Sequence, residues 1–130
     1  MGFFRKEITL TTSKSLKELA TEFENFLVGQ GGWKTQSNIS DTGAIIQARK
    51  GGILRDIVAA DRALTFTFQS AGDGMVKVNV GIGKLLQNIA VTAVEVLLLS
   101  DLFLFVDVPE MLFTEHVEKE LLNQLRAMAV

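Results

Sequence analysis

Four groups of side chains have the types and spacing that chemistry can use. Gly81-Ile82-Gly83-Lys84 follows a strand pattern and opens an apolar stretch, the setting in which a glycine-rich loop cradles phosphate. It lacks the third glycine of a dinucleotide fingerprint and the Gly-x-x-x-x-Gly-Lys-Ser/Thr spacing of a P-loop, so it reads as a strand-to-helix corner. Gln47-Ala48-Arg49-Lys50-Gly51-Gly52, with Arg55 and Arg62, is a small basic cluster. Arg49, Lys50 and Arg55 are its candidates for contact with a phosphate or an anionic lipid headgroup. Asp56 and Asp61 stand among these charges, and pairing with them would make the cluster solvated surface. Glu115 and Glu118 flank His116 at a spacing that suits acid–base work or a hard cation, yet Lys119 is beside them and a solvated helix face accounts for the group. Glu95 and Asp101 lie in apolar surroundings, where a carboxylate either acts as an acid, faces water or pairs at an interface.

Composition narrows the choice further. The chain has no cysteine, one histidine and no tyrosine in 130 residues. Disulfides, thiolate metal sites and cysteine nucleophiles are thereby excluded, and one imidazole cannot build a multi-histidine metal site. His116 has no evident Ser or Cys partner for nucleophilic catalysis. Catalytic, metal and cofactor residues are therefore assigned to none of these positions, and the expectation is a non-enzymatic protein without a cofactor. Residues 1–86 carry 11 Lys/Arg and 8 Asp/Glu, and residues 87–130 carry 2 and 7, giving +3 and −5 within the net −2. A weakly basic body with an acidic tail is no nucleic-acid footprint.

The elements that must position these residues are legible from period and punctuation. Phe4, Ile8 and Leu10 share one face of a first strand. Ser15 and Glu18 have capping-box spacing, in which the hydroxyl accepts a free backbone N–H and the carboxylate reaches back. Leu16, Leu19, Ala20, Phe23, Phe26 and Leu27 follow as one apolar helical stripe, and Gly29, Gly31 and Gly32 end it. Residues 33–39 form a second strand, Asp41-Thr42-Gly43 a turn, and residues 44–49 a third strand. There Ala44, Ile46 and Ala48 face one way, and Ile45, Gln47 and Arg49 the other. Residues 53–60 suit either two helical turns or a strand.

The next hairpin has the clearest alternation. Leu64, Phe66 and Phe68 share a face with Thr65 and Thr67 opposite, Ser70 to Gly74 is the loop, and Val76, Val78, Val80 and Ile82 return with Lys77 and Asn79 outside. A helix is expected from near Lys84, with Asn88, Thr92 and Glu95 as a polar strip and a break near Ser100 and Asp101. Pro109 suits the start of a last helix, with Phe113, Val117, Leu121, Leu125 and Met128 as its seam. The reading is one α+β domain over residues 1–130: an antiparallel sheet of about five strands with helices on one face, in the order β-α-β-β-(α)-β-β-α-α. The TBP-like half-fold and small helix-grip folds are its analogues.

Residues 83–109 are the most apolar part of the chain. Residues 89–108 hold 13 Ile, Val, Leu or Phe, together worth roughly −4 to −8 kcal/mol for bilayer insertion. Asp101 near the centre costs about 2.5–3.5 kcal/mol, and Glu95 and Asp107 add to it, so insertion comes out near zero. Burial in an interface fits better, with Leu97, Leu98, Leu99, Leu102, Phe103 and Phe105 as its residues. The partner expected is a second copy of the chain, a dimer by default, without nucleic acid. A membrane surface or lipid is the other partner the composition allows. An alternative is an apolar small molecule, lipid-like, held under a helix by Phe23, Phe26, Phe66 and Phe68. Residues 1–10 do not have the form of a signal peptide, and the location expected is cytoplasmic, with membrane association as the variant.

The motifs QARKGG (residues 47–52), DRAL (61–64), GDG (72–74) and VGIGK (80–84) resemble, in type and order, those of a family of small uncharacterised bacterial proteins. In that family the last corner leads into a hydrophobic helical stretch. The resemblance covers residues from about 15 to the last helix and rests on turns and strand edges, so it implies a fold and no reaction. Some relatives carry membrane-spanning or zinc-ribbon segments. This chain departs from them, having no cysteine and an apolar run interrupted by acids.

Overall fold

Five strands and two helices make up the protein in the order β1 (Arg5–Thr11), α1 (Leu16–Gly29), β2 (Lys34–Ile39), β3 (Gly43–Arg49), β4 (Arg62–Gly72), β5 (Met75–Lys84) and α2 (Glu115–Ala129). This computed structural model describes residues 5–29, 32–49, 62–72, 74–84, 89 and 115–129. The strands form an open antiparallel sheet in the order β1-β5-β4-β3-β2. Strands adjacent in sequence are neighbours in the sheet from β2 to β5, and β1 forms the far edge by pairing with the last strand. The architecture is α+β, as the alternation of periods indicates.

α1 begins where the cap chemistry places it. Ser15 Oγ accepts from the Glu18 backbone N–H at 3.0 Å, satisfying a helix-start donor that would otherwise lack a partner. Only this half of the expected box is formed, because the Glu18 carboxylate makes no return bond. Lys14 instead ties the helix side chain-first, through an ion pair to Glu22 at 3.0 Å. Leu16, Leu19, Ala20, Phe23 and Leu27 of the stripe are buried, and Phe26 packs partly buried beside them. At the C-terminal end, the Trp33 N–H reaches back to the Leu27 carbonyl at 2.9 Å, a closure that Gly32 permits at φ 70°.

α1 and α2 lie on the same face of the sheet. That face is apolar on four strands: Leu10 of β1, Ala44, Ile46 and Ala48 of β3, Leu64, Phe66 and Phe68 of β4, and Val76, Val78 and Val80 of β5 are all buried in one cluster with both helices. Phe23 is its centre. Its ring stands 4.9 Å from Phe66 edge-on, 6.2 Å from Phe68 and 6.3 Å from Phe26. α2 contributes Leu122, Leu125 and Ala129, so the buried seam includes Leu122 and Ala129, which the expected seam omitted.

β2 is the edge strand nearest α1 and offers that face hydroxyls. Thr35 Oγ1 donates to Glu24 Oε2 at 2.9 Å and Ser37 Oγ to Glu24 Oε1 at 2.7 Å. One carboxylate on the helix thus answers two hydroxyls on the strand, in charge-assisted bonds.

Two features of the return strand differ from expectation. β5 does not leave the sheet at Gly83. Gly83 pairs with Ala63 and Lys84 with Arg62, because the long β4 supplies ladder partners to its end. The hairpin loop is also shorter than Ser70 to Gly74, since β4 continues to Gly72 through a bulge after Ser70, with Gly72 and Gly74 at φ 126° and 72°. Expectations for residues 53–60, for the helix after Lys84 with its polar strip and break, for Phe4 and for Pro109 fall outside the described residues.

Replacing Ser15 by Ala removes the α1 cap. The expected cost is about 1 kcal/mol, read as a fall of about 3–5 °C in the thermal midpoint. An unchanged midpoint by calorimetry would show that the hydroxyl does not cap the helix.

Candidate functional site

The other face of the sheet is buried too, and it is polar. The registers place Gln36 opposite Gln47, Gln47 opposite Thr65, and Thr65 opposite Gly81 in one row across four strands. The neighbouring row is Asn38, Ile45, Thr67 and Asn79. Of these, Gln47, Thr65, Thr67, Asn79 and Ile45 are 0–3 % exposed. Asn79 was expected outside, and its burial corrects that reading: alternation assigns a residue to a face, and this face is covered.

Hydrogen bonds run across the strands. Gln36 Nε2 donates to Gln47 Oε1 at 2.8 Å, and Gln47 Nε2 donates to Thr65 Oγ1 at 3.1 Å. Asn38 Nδ2 donates to the Ile89 carbonyl at 2.8 Å, and Ile89 is itself buried. In the row of Asn38, however, Thr67 Oγ1 and Asn79 Oδ1 stand on directly opposed residues without a partner. Buried polar atoms are satisfied in the great majority of cases, so this pair marks the second face as unusual.

A cleft of about 470 Å³ opens beside this face at the ends of β2 and β3, lined by Lys34, Thr35, Gln36, Gln47 and Arg49. Lys34 and Arg49 are cross-strand partners, so two cations stand directly opposite each other. Like charges in that position repel. Among the described residues neither has an ion-pair or side-chain hydrogen-bond partner, whereas Lys14 pairs with Glu22 and Lys77 with Glu7. The described lining residues include no carboxylate.

The sites expected from sequence fare differently. Arg49 lies in this cleft, while Lys50 and Arg55 fall outside the described residues. Phe23, Phe26, Phe66 and Phe68 are brought together, packed ring against ring. Gly81 and Gly83 are ladder residues of β5, not a corner. Leu97, Leu98, Leu99, Leu102, Phe103 and Phe105, with Glu95 and Asp101, fall outside the described residues. Glu115, His116 and Glu118 are backbone positions at the start of α2. Among the described residues no three His, Asp or Glu side chains come together, and no helix is long and apolar enough to cross a membrane.

Sequence reasoning missed Lys34, Gln36, Thr65, Thr67 and Asn79. A signal was available. Between them, Gln47, Thr65, Thr67 and Asn79 put no charge at the centre of a face assumed to meet water, and an uncharged run of Gln, Thr and Asn is more typical of a covered polar surface than of a solvated one. What the described residues assemble is donors, acceptors and two cations, a surface suited to binding.

Thr67→Val removes a buried hydroxyl that has no partner while keeping shape and strand preference. Stability should rise by about 1 kcal/mol, seen as a higher urea midpoint at unchanged slope. A lower midpoint would mean that a bound group meets Oγ1. Comparison with protein-family models, with curated proteins and with solved structures gives no match to this chain.

Proposed function

We propose that this chain is a non-enzymatic α+β domain that self-associates through apolar residues of its C-terminal half, Leu97, Leu98, Leu99, Leu102, Phe103 and Phe105, as a two-fold dimer. The observation that carries this reading is the character of the two sheet faces. The apolar face is already packed against α1 and α2. The second face is lined by Gln36, Asn38, Gln47, Thr65, Thr67 and Asn79, with Ile45 as the apolar residue among them. Leucine and phenylalanine side chains cannot answer the hydrogen-bonding groups of that face.

A third cover is therefore favoured. Six large apolar side chains left in water forgo about 1.5–3 kcal/mol each, enough to drive association once the cost of bringing two chains together is met. A second copy supplies such a cover with closed symmetry. The reading of an apolar ligand held by Phe23, Phe26, Phe66 and Phe68 draws less support, since those rings fill the space between helix and sheet with one another.

Light scattering of detergent-free protein over a dilution series tests this. The expected result is about twice the chain mass at high concentration, falling on dilution or holding if the dimer is tight. Leu99→Asp should weaken association by about 100-fold or more, because an unpaired carboxylate would be buried in the interface. A monomer at every concentration in the parent protein would overturn the proposal.

A further inference from the structure

We propose that the cleft beside the paired ends of β2 and β3 is a binding site for a phosphate group carried by a polar molecule, with Lys34 and Arg49 as its two cationic contacts. The antiparallel register sets these residues face to face, and both are exposed at the cleft with no carboxylate among its described lining. Two like charges held this way cost stability unless an anion comes between them. A phosphate monoester brings close to two negative charges near neutral pH, which matches the pair. The side chains are also complementary as ligands: the Arg49 guanidinium offers a planar fork to two oxygens, and the Lys34 ammonium is a point charge that adjusts to a third.

The floor indicates what the phosphate is attached to. Gln36 and Gln47 line it, locked in orientation by the relay to Thr65, and Thr35 adds to the wall while its hydroxyl is committed to Glu24. A volume of about 470 Å³ exceeds a lone phosphate and lies in the range of small-molecule sites. Each described lining residue carries a polar group on an aliphatic stem, which suits a small hydroxylated body, as in a sugar phosphate or a glycerophosphate. A soluble phosphate monoester and a phosphatidylglycerol headgroup both present phosphate oxygens on a hydroxylated body, the monoester with close to two negative charges and the headgroup, a diester, with one.

Isothermal titration calorimetry reads binding by the full chain directly, since Trp33 is buried in the core on the helix side and does not report on the cleft. The full chain would be titrated at low ionic strength with glycerol 3-phosphate, with sodium chloride of matched ionic strength as the blank. In parallel it would be sedimented with phosphatidylcholine vesicles with and without phosphatidylglycerol. A saturable response to glycerol 3-phosphate assigns the site to soluble esters, and binding to the phosphatidylglycerol vesicles alone assigns it to headgroups.

In either case Lys34→Gln and Arg49→Gln should each weaken binding about tenfold, the loss of one charge-assisted contact. Lys77→Gln, which removes a cation already paired with Glu7, should leave binding unchanged. The two cleft variants should also melt no lower than the parent, since each relieves the repulsion, so lost binding cannot be laid to unfolding. No response to either phosphate-bearing probe would overturn the proposal, as would an equal loss in Lys77→Gln.

Discussion

The pairing of β4 with β5 holds Phe66 opposite Val80 and Phe68 opposite Val78, and that register assigns every other side chain of the sheet to one of two faces. A slip of one residue would exchange the faces, turning Phe66 and Phe68 away from Phe23 and bringing Thr65 and Thr67 into the aromatic cluster. The cost of that exchange is what keeps the sheet in one alignment. The outer ladders inherit it: β3 sets Ile46 against Phe66, β1 sets Ile8 against Val78, and β2 follows β3. The helices then have one surface on which to land.

The two faces are buried by different physics. On the helix face, apolar area removed from water supplies the driving force, and the aromatic edge contact between Phe23 and Phe66 orients it. The second face gains little from burying Gln47, Thr65, Thr67 and Asn79, because each polar group must recover the hydrogen bonds it had in water. The Gln36–Gln47–Thr65 relay does so by linking three strands side chain to side chain, and Asn38 does so by bonding to a main-chain carbonyl 51 residues away. The Thr67 hydroxyl and the Asn79 carboxamide oxygen do not. Such a face contributes alignment more than stability, since a carboxamide relay holds only in one register.

The edge strand β2 shows how charge is handled where the sheet ends. Toward α1, two of its hydroxyls share one carboxylate, Glu24. Toward the cleft, Lys34 faces Arg49 with no acid among the described lining residues. A lysine at an edge also discourages pairing with another strand, so the same side chain protects the edge and furnishes half of the proposed phosphate site. The two roles do not conflict, because the first needs only that the charge be there and the second needs Arg49 opposite it.

The sequence by itself determined the local elements. The hydroxyl of Ser15, the stripe from Leu16 to Leu27 and the alternation through Leu64, Phe66 and Phe68 are written in short-range spacing, and each forms where that spacing puts it. It also determined which residues share a face, since a period of two admits one answer. Tertiary structure alone decided that both faces are covered and which charges meet. The pairing of β1 with β5, the burial of Asn79 and the meeting of Lys34 with Arg49 join residues far apart in the chain or across a ladder whose register is set elsewhere. Gly81 and Gly83 show the limit most plainly. Glycine permits a corner there, but β4 extends far enough to offer Thr65 and Ala63 as partners, and the ladder bonds those partners supply keep the chain in the sheet.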